Sequence, residues 1–220
     1  MSTEPSPHEP TPTRERLRQA AIELFGEKGY DGASMNELAE RVGIAKPSLY
    51  NYYRSKEDLL LDVIDDGLER WLAECRAPEP SEVASYERFL RDHLVATIDF
   101  ARRHPRAVAV FHLASMHVQG DLARRVQEVV WRHLGPFRAH CDRLLDRALA
   151  AGELPAQEAG AIRAFLSVFF QGLMFQQTVN PPDAERVVRH LDGVWRLLYR
   201  GLSGREPREG LPQTKTSETH

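Results

Sequence analysis

Six of the nine histidines (His93, His104, His112, His117, His133 and His140) fall between positions 93 and 140, so metal chemistry is the first possibility to weigh. A helix that binds zinc commonly presents two imidazoles four residues apart with a carboxylate between them, as in H-E-x-x-H. No pair of these histidines has that spacing, and no acidic residue completes a set, so neither a metal nor a cofactor is expected. The two cysteines, Cys75 and Cys141, are far apart and lack C-x-x-C spacing, which argues against a disulfide framework or a zinc site. Cys141 follows His140 directly, so the two point to different faces of a helix and form no catalytic dyad. Nucleophile elbow, phosphate loop and nucleotide fingerprint are all absent.

A second constellation runs from Arg41 to Lys56. It holds four basic residues, Arg41, Lys46, Arg54 and Lys56, and no acidic one, within a chain of 220 residues whose 29 Lys and Arg against 32 Asp and Glu give a net charge of −3. Such a balance excludes a general basic binder and concentrates positive charge in one window. Inside it, Lys46-Pro47-Ser48-Leu49-Tyr50-Asn51-Tyr52-Tyr53 reads as a short helix with two faces. Leu49 and Tyr53, four apart, point inward, while Ser48 with Tyr52 and Pro47 with Asn51 form an outward face of hydroxyl and amide groups. Groups of that kind read base edges and phosphates. Taken on helical pattern alone, the same face is also what any solvated helix shows; its coincidence with the charge window favours nucleic acid. Ser55 to Asp58 is an S-x-x-[DE] cap that places Lys56 in a helix's first turn, where free N–H groups also favour an anion.

The elements that must position these residues are all helical. Apolar residues recur at helical spacing almost throughout and no alternating strand appears, so the fold class is all-α, with about nine helices. The first runs from about Thr13 to Lys28 with Leu17, Ala21, Leu24 and Phe25 on one face, and Gly29 ends it. Ser34 to Glu37 is a capping box in which the hydroxyl and the carboxylate reciprocally satisfy exposed N–H groups. Met35, Leu38, Ala39 and Val42 form the stripe of that second helix, and Gly43 suits a left-handed turn before the third. Two short helices joined by a tight glycine turn and braced by a preceding helix make a helix-turn-helix. The division expected is residues 1–12 as a flexible arm, 13–58 as the DNA-binding domain, 59–202 as a ligand-binding and dimerisation domain, and 203–220 as a disordered tail. No secretory signal is expected, because MSTEPSPHEPTPT carries four prolines and no apolar run, and no membrane span, because the most apolar run, AFLSVFF and GLMF, is about a dozen residues interrupted by Gln171. A reducing cytoplasm is the default.

The block RLRQAAIELFGEKGYDGASMNELAERVGIAKPSLYNYYRSKEDLL resembles the DNA-binding module of the tetracycline-repressor (TetR) type of bacterial transcriptional regulators. Its most telling elements are the helix ending in Lys-Gly-Tyr, Ala39 with Val42-Gly43-Ile44, and Leu49-Tyr50 followed by Tyr53-x-Ser-Lys-Glu-x-Leu. The resemblance implies that Ser34 holds a phosphate, that Lys46, Pro47, Ser48 and Asn51 enter the major groove, and that Tyr50 and Lys56 hold backbone phosphates. Tyr52 stands where such proteins often have a histidine that contacts DNA. Tyr53 replaces a frequent Phe and reads as core, its hydroxyl reaching the surface.

The remainder is long and helical. A fourth helix, about Lys56 to Cys75, has Leu60, Ile64, Leu68, Trp71 and Cys75 on one stripe and belongs to both modules. Val83 to Arg103 carries Tyr86, Phe89, Leu90, His93, Thr97 and Phe100 on one face; a histidine there is ordinarily a hydrogen-bonded core residue, and the sharper reading is a polar anchor in a ligand pocket. Candidate ligand residues are His93, Thr97, Phe100, His112, Met116, His133, Phe137 and Phe169, an apolar and aromatic set with a few imidazoles. Gly135-Pro136 is expected to kink or break the helix that carries Phe137. Segments from about Gln157 to Val179 and Ala184 to Leu202 hold more apolar surface than one small domain needs; in the family resembled, two such helices from each subunit build a dimer, with Gly172 allowing close approach. The reading is a homodimeric regulator that binds a near-palindromic operator and is released by an unidentified small molecule, repression being the expected sign. The competing reading is an all-α carrier or enzyme that uses the histidine-rich module.

Overall fold

The computed structural model describes residues 12–75, 85–179, 181–208 and 210–211, without the side chains of 12, 113, 115–117, 177–179 and 181–184. The expected arm except Pro12, the tail beyond 211 and the RAPEPS break lie outside them. Among the described residues there are ten α-helices, one 3-10 turn and no strand. The helices are α1 (Pro12–Gly32), α2 (Met35–Val42), α3 (Lys46–Tyr50), α4 (Lys56–Glu74), α5 (Tyr86–Arg103), α6 (Pro105–His117), α7 (Gly120–Ala150), α8 (Ala159–Val179), α9 (Pro181–Arg189) and α10 (Leu191–Ser203). All-α architecture is as read from periodicity.

Differences are local. Gly29 interrupts α1 with φ 72 and ψ 172, a conformation open to glycine alone, and one further turn follows it. α3 ends at Tyr50 and hands over to a turn at Asn51-Tyr52, shorter than the eight residues anticipated. α7 passes through Gly135-Pro136 without breaking, so the proline sits inside a 31-residue helix. The last apolar segment is two helices, because His190 leaves the helical region at φ −110 and ψ 20.

Contacts divide the chain into two compact units, 1–68 with 109–130 and 69–108 with 131–220. In the first, Leu17, Ala21, Leu24 and Phe25 of α1, Leu38, Ala39 and Val42 of α2, Leu49 of α3 and Leu59, Leu60, Val63 and Ile64 of α4 are all buried. Each fully buried leucine contributes roughly 1.5 to 3 kcal/mol relative to exposure. The core of the second unit joins Leu90, Leu94 and Ile98 of α5, Leu144 and Leu145 of α7, Ile162 and Leu173 of α8, and Leu191, Trp195 and Leu198 of α10.

One described segment, Ala156–Gln176, is long and apolar enough to cross a membrane by those two criteria alone, which corrects the count of a dozen residues. Its Arg163 pairs with Asp142 at 3.2 Å and with Asp146, both on α7, which ties the segment to its own chain.

Candidate functional site

α3 is set by its neighbours. Gly43 adopts φ 74, and its N–H closes the end of α2 onto the carbonyls of Ala39 and Glu40. Pro47 occupies the first turn of α3, where a missing N–H costs nothing. Leu49 is fully buried, and this turns the rest of the helix outward. Lys46, Pro47, Ser48 and Asn51 are exposed, as are Tyr50 and Tyr52 at 41% and 38%. The sequence-predicted reading residues thus share one open surface.

Ser34 caps α2, its Oγ accepting from the Glu37 N–H at 3.2 Å. The reciprocal half of the capping box differs from expectation: the Glu37 carboxylate takes Lys28 Nζ at 2.6 Å. Ser55 caps α4 in the same manner, through the Asp58 N–H at 3.1 Å. Of the four basic residues, Arg41 is paired with Glu27 at 2.8 Å. Lys56 donates to the carbonyls of Tyr30 (2.8 Å), Asp31 (3.4 Å) and Ala33 (3.0 Å) and lies 4.4 Å from the Tyr30 ring centroid. Its hydrogen bonds serve the protein while its charge remains. Lys46 and Arg54 are exposed.

Tyr53 is buried, and its hydroxyl does not reach the surface as expected; it donates to Asp62 Oδ2 at 2.6 Å. Arg14 grips the same carboxylate with Nη2 at 2.8 Å and Nε at 3.3 Å and lies over the Tyr53 ring, while Arg18 pairs with Asp66 at 3.0 Å. Burial, then the Asp62 charge, raises the Tyr53 phenol, so it stays a donor. Asp62 therefore ties the residue just after α3 to both α1 and α4. Sequence reasoning missed this hub; Asp62's partner Arg14 lies 48 residues away, and no local pattern announces such a pair. Arg125 of α7 closes on Glu57 (3.1 Å) and Asp58 (2.9 Å) at the start of α4.

In the second unit, His93 is buried and enclosed by the rings of Phe170 (4.6 Å), Phe137 (5.4 Å), Phe89 (5.8 Å) and Trp71 (6.2 Å). Desolvation lowers its pKa to about 4, which keeps the imidazole neutral at pH 7. Its Nδ1, the Thr97 Oγ1 and the Trp71 Nε1 are buried without a hydrogen-bond partner, so the hydrogen-bonded core histidine expected as the ordinary case is not what Nδ1 forms. Each such atom costs about 1 to 3 kcal/mol. Of the other ligand candidates, Phe100 belongs to a separate buried cluster with Cys75, Ala101 and Val108. Phe169 packs between Phe165 and Phe170, and His133 is half-buried on α7. His112 lies in the first unit, its pKa lowered by burial, and the Met116 side chain lies outside the described residues. The structure brings His93, Thr97 and Phe137 together and adds Trp71, Phe89 and Phe170. An indole N–H standing on an apolar stripe was the signal for Trp71.

Burial pushes both thiols up to about 12, so neither is a thiolate nucleophile at pH 7. Among the described residues no three His, Cys, Asp or Glu side chains gather as a metal requires.

Residues 17–63 match the family model for bacterial regulatory proteins of the tetR family. The regulator UidR of Escherichia coli K12 is 30% identical over 132 residues, 54% of this chain and 67% of UidR. The chain belongs to the TetR family. As a TetR-family member it is a helix-turn-helix transcriptional regulator. An uncharacterised regulator of this type, YezE of Bacillus subtilis, is 49% identical over 49 residues, which span 22% of this TetR-family chain and only 25% of YezE. The solved structure of FadR from Bacillus subtilis in complex with stearoyl-CoA superposes with a TM-score of 0.68, covering 86% of this chain and 98% of that one; at 18% identity the likeness is one of fold.

Proposed function

We propose that this TetR-family chain is a homodimeric repressor that binds a near-palindromic operator and releases it when a small molecule enters the C-terminal unit. The observation that carries the reading is the open face of α3: Ser48 and Asn51 offer base-edge hydrogen bonds, and Lys46 and Arg54 supply charge beside them. Ser34, Tyr50 and Tyr52 contact the backbone, and Lys56 adds its charge while it braces the end of α1. The functional division is 13–58 for DNA and 59–202 for ligand and dimer. Such a protein acts in the cytoplasm, where its DNA lies.

Support for the dimer comes from apolar residues that one chain leaves open: Val168 at 71%, Leu197 at 65% and Phe165 at 48%. A second copy covers them, through about 161–202. Support for an effector comes from the unpaired polar atoms around His93 and from the acyl thioester held by the FadR structure.

Selection from random duplexes tests the reading. It should return two inverted half-sites, about 10 base pairs between centres or a multiple of that. A selection that enriches nothing contradicts it.

A further inference from the structure

Trp71 Nε1, His93 Nδ1 and Thr97 Oγ1 are all buried, and none of the three has an oxygen or nitrogen hydrogen-bond partner. His93 and Thr97 stand four residues apart on α5, on the same side of the helix, and the Trp71 ring meets the imidazole edge-on at 6.2 Å. The Cys75 sulfur is in hydrogen-bonding reach of the Thr97 hydroxyl, a weak partner that leaves the hydroxyl further capacity to donate or accept. Interiors seldom leave polar atoms without such partners. The indole N–H only donates, whereas a hydroxyl and a neutral imidazole both donate and accept. The surrounding rings of Phe89, Phe137 and Phe170 offer flat apolar walls, and Phe137 and Phe170 are only half-buried. The cluster itself contains no cation, since burial keeps His93 neutral, so a carboxylate or phosphate here finds no counter-charge within it.

We infer that this cluster is the head-group site for the effector, and that the effector is an uncharged, largely aromatic molecule whose hydroxyl accepts from Trp71 Nε1 and donates to His93 or Thr97. The inference rests on the effector reading proposed above. A phenol oxygen has the one donor and the acceptor lone pairs that these groups call for, while an acyl-CoA brings charged phosphates that the cluster does not pair.

Calorimetric titration of the full-length protein tests it with 4-ethylphenol and 2-naphthol, each against its parent hydrocarbon and its carboxylate, and with stearoyl-CoA. At least one phenol should bind tenfold or more tightly than both of its counterparts. Trp71→Phe and Thr97→Val should each cut that preference at least threefold while hydrocarbon binding persists, and the Trp71 indole ¹⁵N–H resonance should shift when the phenol binds to the wild-type protein. Equal affinity for phenol and hydrocarbon, tighter binding of a carboxylate or of stearoyl-CoA, or no binding of either ring system by protein that melts cooperatively overturns the inference. So does a preference that both variants leave unchanged. Mobility shifts on the selected duplex separate the two levels. Phenols that bind as expected without weakening the duplex complex refute the effector reading and leave the head-group site standing. A duplex complex released by stearoyl-CoA alone refutes the head-group site and leaves the regulator standing.

Discussion

Asp62 shows how a single carboxylate positions a reading helix. Tyr53, just beyond α3, donates to it, and Arg14 grips it from α1, so one half-buried side chain joins three elements of the same unit. Tyr53→Phe removes a hydrogen bond to a charged group, and denaturant unfolding should show a loss of about 1.5 to 3 kcal/mol. An unchanged midpoint would show that Asp62 finds another donor at no cost. His93 makes a prediction of opposite kind. Its pKa falls from 6.5 to about 4 on folding, so the unfolded chain binds more protons between those values. Stability from this residue is complete above pH 6.5 and is lost as pH falls toward 4, a change on the order of 3 kcal/mol. His93→Phe should flatten that part of the pH–stability profile; parallel profiles for variant and wild type would sink the assignment.

Elements were legible where their signals are local. Ser34 three residues before the N–H it caps, Gly43 at a left-handed turn and Pro47 in a first turn each act within a few residues, and all three stand where their types require. Partners distant in sequence were not legible. Glu37 chose Lys28 over its own cap, and Trp71, His93 and Phe170 meet only because three helices pack. Periodicity also failed to separate the two destinations of apolar residues in the segment from Ala184 to Leu202: Trp195 is completely buried in its own chain's core, while Leu197 two residues later is open. Charge on the open side is therefore the informative change. Val168→Glu or Leu197→Glu should yield a folded monomer by sedimentation at micromolar concentration, with operator affinity lost because one half-site reader binds weakly. A variant that stays dimeric would move the interface elsewhere.

At the scale of the whole molecule, three helices, α4, α6 and α7, contribute residues to both units, so an effector held by the second unit and an operator held by the first would act on shared elements. Linkage then demands symmetry: an effector that weakens operator binding tenfold must bind the operator complex tenfold less tightly, a coupling of about 1.4 kcal/mol. Equal effector affinity for free and DNA-bound protein would exclude that coupling. All of this presupposes that α3 reads bases. The most direct test measures wild type, Ser48→Ala, Asn51→Ala and Lys46→Ala against every single-base variant of the selected operator. The first two substitutions should relax discrimination at particular base pairs by about 1 to 3 kcal/mol, whereas Lys46→Ala should weaken all sequences alike and reduce the salt dependence. If Ser48→Ala and Asn51→Ala also lower every affinity equally and leave the base preferences intact, α3 is not the reading helix.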